Sequence, residues 1–72
     1  MKAGDWLLGI HTGRIGKLLK IHKKPERTYV VRHLYGDRWV ITKFNKEIEE
    51  RVTVVTKEVA DILIAVNTTK EK

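Results

Sequence analysis

The residues of this chain best suited to chemistry are its cations. Between positions 11 and 33 lie Arg14, Lys17, Lys20, Lys23, Lys24, Arg27 and Arg32, against a single acid, Glu26. Lysine and arginine in such a run bind oxyanions. A stripe of this kind suits the phosphates of RNA or DNA, or the carboxylates of an acidic protein surface; the plainer role of the same residues is a solvated face. The aromatic residues Trp6, Tyr29, Tyr35, Trp39 and Phe44 are natural companions, because an exposed ring stacks on a base or anchors a protein interface. His11, His22 and His33 fall at equal intervals that match no structural period. Without Cys or a local carboxylate pair they read as surface or partly buried imidazoles, and no metal site is expected. No nucleophile–base pair or carboxylate dyad stands out, and His11-Thr12-Gly13 lacks the Gly-x-x-x-x-Gly-Lys spacing of a phosphate loop. The pattern points to binding without turnover, and it calls for no cofactor.

The charge distribution strengthens that reading. The whole chain carries 15 Lys+Arg against 9 Asp+Glu, a net of +6. Residues 1–46 hold 11 basic and 3 acidic side chains (+8), while residues 47–72 hold 4 and 6 (−2), so the chain is bipolar. Its 72 residues suffice for one small domain, which buries only roughly 60% of the surface its unfolded form exposes and leaves little room for a large enclosed active site. With 42% hydrophobic and 33% charged residues the composition is that of a folded domain, not a disordered tail. The absence of Cys fits a reducing, cytoplasmic setting. No apolar run approaches the roughly 18–20 residues of a membrane span, and the start of the chain lacks the long apolar stretch of a secretion signal.

The elements that must position these residues are mostly strands. Residues 6–10 are short and β-compatible, and the two glycines of His11-Thr12-Gly13-Arg14-Ile15-Gly16 suit a tight bend. Ile15–His22 reads as a second strand, with Lys17, Leu19 and Ile21 on one face and Leu18 and Lys20 on the other, an imperfect alternation. Residues 22–27 form a polar turn around Pro25. Residues 28–33 are the strongest strand expectation, dense in β-branched and aromatic side chains. Leu34-Tyr35-Gly36-Asp37 then supplies a hairpin turn, and residues 38–42 pair back. A mixed segment at 44–51 allows a helical turn before a fifth strand at 51–55. From Thr56 the period changes: Val59, Ile62, Leu63 and Val66 follow helical spacing, with Thr56 as N-cap, so a helix over 56–66 is expected to cover an end or face of the β structure. Residues 67–72 read as a frayed polar tail. Trp39 and Phe44 are the expected core aromatics, with Tyr35 at the hairpin tip.

Five short strands with glycine-bearing turns suggest a small SH3-like barrel followed by a C-terminal α-helix. Within that plan Gly4-Asp5-Trp6, followed by Gly13-Arg14-Ile15-Gly16-Lys17-Leu18-Leu19-Lys20-Ile21, resembles the KOW motif of ribosomal proteins and NusG-type transcription factors. Tyr29-Val30-Val31 and Tyr35-Gly36-Asp37-Arg38-Trp39-Val40-Ile41 stand where a later hairpin of that family would lie, so the resemblance covers roughly residues 4–55. It implies nucleic-acid or RNA polymerase binding, with Gly13 and Gly16 as turn glycines and Arg14 and Lys17 as contact residues beside them. The chain lacks the long N-terminal domain of NusG-like factors and adds a helix. In size and charge it is also similar to small phage-encoded regulators, inhibitors or antiterminators, that bind host RNA polymerase.

The resulting expectation is a transcription regulator that docks on bacterial RNA polymerase, the alternative being a KOW-type module that binds RNA or DNA directly. The residues expected to make contact are Arg14, Lys17, Lys20, Lys23, Lys24 and Arg27, sharing one broad side of the barrel, together with Trp6 and Tyr35. A monomer is expected when free.

Overall fold

Residues 1–68 are described by the computed structural model, which joins five antiparallel strands into one sheet: β1 (Trp6–Gly9), β2 (Ile15–His22), β3 (Thr28–Tyr35), β4 (Arg38–Asn45) and β5 (Val52–Val55). A 3-10 helix, Lys46–Glu50, separates β4 from β5, and α1 (Lys57–Thr68) follows β5. The mainly β class with a C-terminal helix is as the sequence implies. Asn67 and Thr68 complete α1, so the first two residues of the expected tail are helical; the rest of that tail lies outside the described residues. Among the described residues no helix is long and apolar enough to cross a membrane.

The strand order is β4-β3-β2-β1-β5, so β4 and β5 form opposite edges and the expected barrel is not closed. The physical reason is the 3-10 helix. It packs against β3, β4 and β5, where a β4–β5 ladder would otherwise run, and buries Ile48 in the core. Asn45 caps it, its side-chain oxygen accepting from the Glu47 amide at 3.0 Å.

Strands β3 and β4 pair in one unbroken register from Thr28↔Asn45 to Tyr35↔Arg38. Leu34 and Tyr35 therefore belong to β3, the turn shrinks to Gly36-Asp37, and β4 runs three residues past its expected end. Pairing partners outweigh the weak β propensity of Lys43 and Asn45. Gly13, at φ 70°, is a turn glycine as expected, but Gly16 is a strand residue opposite His33. A Cβ on Gly16 would lie 2.9 Å from the His33 Cβ and 3.0 Å from the Val31 Cγ1. Glycine is needed there for the close approach of β2 and β3, not for a bend.

The sheet has two faces with separate cores. On the inner face Leu7, Leu18, Tyr29, Val31 and Ile48 are buried, with Ile21, Phe44 and Val52 packed around them. On the outer face Ile15 and Leu34 are covered by Ala60 of α1, flanked by Trp6, Trp39, Val55, Leu63 and Ile64. Trp39 and Phe44 are thus half-buried flanks, and the buried aromatic is Tyr29, on a central strand. Thr56 caps α1 through its Oγ1, which accepts from the Val59 amide at 3.2 Å. The helix turns Ala60, Leu63 and Ile64 inward and leaves Val59, Ile62 and Val66 exposed, unlike the seam expected from the sequence.

Candidate nucleic-acid interface

The outer face beyond α1 is where the cations meet. Strand alternation places Ile15 and Lys17 of β2 on this face, and Lys17 lies directly opposite Arg32 of β3. A register shift between Leu18 and Lys20 then inserts one extra residue, Leu19. Without this bulge Lys20 would point to the inner face; with it, Lys20 pairs with Val30 and shares the face of Lys17 and Arg32. The bulge also resolves the imperfect alternation in the sequence: Leu18 and Ile21, not Lys17 and Ile21, share a side.

Each of the two opposed cations is held against an indole. The Lys17 Nζ lies 5.5 Å from the Trp6 ring centroid, and the Arg32 Cζ lies 4.6 Å from that of Trp39. Both Trp rings also pack on the outer core, so they serve as platforms that hold the cations over the sheet. Among the described residues no carboxylate lies within ion-pair distance of Lys17, Lys20 or Arg32; the three ion pairs are Arg27–Glu49, Arg51–Glu47 and Lys57–Asp61. Two like charges directly opposite one another on adjacent strands are destabilising by about 0.2–1 kcal/mol. Next to them Ile41, opposite Arg32, is 64% exposed.

The structure divides the expected six-cation side. Lys17 and Lys20 come together. Arg14 belongs elsewhere, its guanidinium carbon 4.3 Å above the ring of Tyr35, which stands exposed at the end of β3 as expected for the hairpin tip. Lys23 and Lys24 are exposed in the turn between β2 and β3, which carries a cis Lys24–Pro25 bond. Arg27 is occupied, donating to Glu49 at 3.1 Å. Trp6 is half-buried beneath Lys17 and is no free anchor. The residues of this face that the sequence reading leaves out of its contact set are Arg32 and Trp39. Their signal was available: a two-residue turn at Gly36-Asp37 fixes the pairing of Leu34 with Trp39 and Arg32 with Ile41, which sets Arg32 diagonally beside the indole.

Of the histidines, His11 is exposed in a turn, while His22 and His33 are half-buried on different strands. Among the described residues no three metal-ligating side chains converge. His33 bonds the Thr42 Oγ1 at 3.0 Å, and its pKa is held below the ordinary histidine value by burial and by the nearby charge of Arg14.

Compared with known proteins, the chain matches no family model, no curated protein and no solved structure.

Proposed function

We propose that the chain is a nucleic-acid-binding module, with Lys17, Lys20 and Arg32 on the outer face of the sheet holding the phosphate backbone of RNA or DNA. The observation that carries this reading is the Lys17–Arg32 pair. Two cations are set face to face, each fixed over a Trp and neither neutralised by a carboxylate among the described residues. Their repulsion is relieved when a phosphate bridges them, so the unbound state bears a cost that the bound state removes. A fold that needed only solubility has no use for that opposition. The resemblance of Gly4-Asp5-Trp6 and of residues 13–21 to the KOW motif implies the same class of ligand.

Docking on bacterial RNA polymerase is the second reading. Ile41 and Leu19 favour it, since they expose apolar surface beside the cations, as a protein interface requires. The two readings part in salt dependence. Three phosphate contacts on a single strand give a slope of log K against log salt of about −2, whereas an interface resting on Ile41 and Leu19 changes little.

The test is fluorescence anisotropy with labelled RNA, single-stranded DNA and duplex DNA between about 50 and 200 mM salt, beside the same titration with purified polymerase. Oligonucleotide affinity with that slope supports the first reading. Salt-insensitive binding to polymerase alone replaces it with the second.

A further inference from the structure

The inner face of the sheet carries a second candidate site. Because the 3-10 helix stands where β4 and β5 would have closed a barrel, an open cleft of about 430 Å³ remains beside the inner core. That volume falls in the range of small-molecule sites, roughly 300–1,000 Å³. Its floor is aliphatic, formed by Leu7, Val31, Ile48 and Val52. Its wall is aromatic: the rings of His33 and Phe44 stand 5.9 Å apart and tilted by 56°. The close approach of β2 to β3 at Gly16 is what brings this wall against the floor.

The rim is polar and mostly positive. Arg14 and Arg51 line it against one carboxylate, Glu47, while Lys43, opposite Val30, borders it from a strand position that faces the outer side. Arg14 is steadied by stacking on Tyr35. Arg51 has only a loose hold on Glu47, at 3.9 Å with both side chains about 70% exposed. Such an exposed pair is worth little and yields readily to an incoming anion.

An apolar floor, an aromatic wall and a cationic rim define a ligand with an apolar body and a charged end. We propose that this cleft binds a small organic anion, a ring-sized apolar body bearing one carboxylate or phosphate, with the ring against His33 and Phe44 and the oxyanion at Arg14 and Arg51. The site lies on the opposite face of the sheet from Lys17 and Arg32 and does not depend on what they bind.

The experiment is a titration of the isotope-labelled protein, followed by NMR, with phenyl phosphate and with benzoate, and with inorganic phosphate and benzyl alcohol as the two half-ligands. Expected are saturable shifts at Gly16, His33, Phe44 and Ile48 with a dissociation constant at or below about 1 mM for at least one of the two organic anions. Each half-ligand should bind at least tenfold more weakly, on the order of 1.4 kcal/mol less. Val52→Trp should fill the cleft and abolish the shifts. Arg14→Gln with Arg51→Gln, both at exposed positions, should weaken binding without unfolding the chain, so the proposal does not rest on the fate of the bulky variant. It is overturned if neither organic anion saturates, if inorganic phosphate binds as well as phenyl phosphate, or if the shifts map to Lys17 and Arg32 instead.

Discussion

Lys17 faces Arg32 across the β2–β3 ladder, cation against cation. Replacing Lys17 with Glu converts the opposition into an attraction. The change should leave stability unaltered or raise it by up to about 1 kcal/mol, with the weak contact between Lys17 and Trp6 lost. It should also lower oligonucleotide affinity at least tenfold, because it removes one phosphate contact and engages the second. Urea denaturation and anisotropy on the same preparation check both halves. A variant that binds as well as the parent chain would remove this face from consideration, and one that is markedly destabilised would show that the opposed charges were no burden.

On the inner face the buried Tyr29 hydroxyl donates to Glu49, which also accepts from Arg27, and this tie fastens the 3-10 helix to β3. Tyr29, then Arg27, hold the Glu49 carboxyl below its ordinary range. A carboxyl with a depressed folded pKa contributes stability that is present above the unfolded value, 4.5, and is lost as pH falls through the folded one. Tyr29 is shifted the other way: burial, then the bond to Glu49, raises its hydroxyl above 10.0, so the associated stability is present below that pH and is lost as pH climbs through the folded value. Tyr29→Phe should therefore lower the urea midpoint at neutral pH and flatten the stability profile at both its acid and alkaline ends. An unchanged acid limb in this variant would mean that Glu49 draws nothing from Tyr29. The same contact bears on Arg27: reversing Lys23, Lys24 and Arg27 together alters two exposed turn residues and one structural tie, so a drop in melting temperature is expected from the third alone.

The order of strands and helix was open to sequence reasoning, since alternation, β-branched density and the change of period at Thr56 are local signals. What escaped it were features that arise only between strands. The bulge at Leu19 is invisible in β2 alone, because a single strand shows a broken alternation without saying which side recovers it. Two glycines three apart read as a bend, but the real constraint on Gly16 is the His33 and Val31 side chains of the next strand. The partition of the cations follows from the same blindness. Arg14, Lys17 and Lys20 are near in sequence, yet the sheet lies between the first and the other two. A buried Tyr29 needs a partner for its hydroxyl, and that partner, Glu49, comes from the 3-10 helix, a contact that no local signal around Tyr29 reveals.

His33 supplies a prediction with one sign. Burial, then the charge of Arg14, lower its pKa from 6.5 in the folded chain. Above that pH the imidazole is neutral in both states and stability is fully present. As pH falls below it the unfolded chain takes up a proton that the folded chain resists, and stability declines until the folded value is passed. The urea midpoint should fall on the acid side of pH 6.5, and His33→Gln should remove that component while leaving the Glu49 limb at lower pH in place. Direct NMR titration of the ring should give a midpoint below 6.5; a midpoint above it would refute the assignment.

Helix α1 gathers Lys57, Glu58 and Asp61 on one side and spreads apolar residues over the rest of its circumference, so its sequence does not declare which part of that arc is buried. Val59, Ile62, Leu63 and Val66 share helical spacing, but Ala60, Leu63 and Ile64 form an equally good stripe, and the sheet selects the second. The selection follows from what the outer face offers. Ile15 and Leu34 are close to fully buried and form a flat patch between Trp6 and Trp39, on which a small residue must sit to bring the helix near; Ala60, 0% exposed, is that residue. Leu63 and Ile64 then fall to either side, and Ile62 is left 63% exposed. Leu63→Ala should cost about 2 kcal/mol, the lower end for truncating a core leucine because the side chain is only half-buried, while Ile62→Ala should stay within about 0.5 kcal/mol. Removing residues 57–72 uncovers Ile15 and Leu34 together and should unfold the domain. Equal costs for Leu63→Ala and Ile62→Ala would place the helix in the orientation its first periodic residues suggest, with both side chains against the sheet; a large cost at Ile62 alone would mean that a partner or a second copy covers the outer stripe.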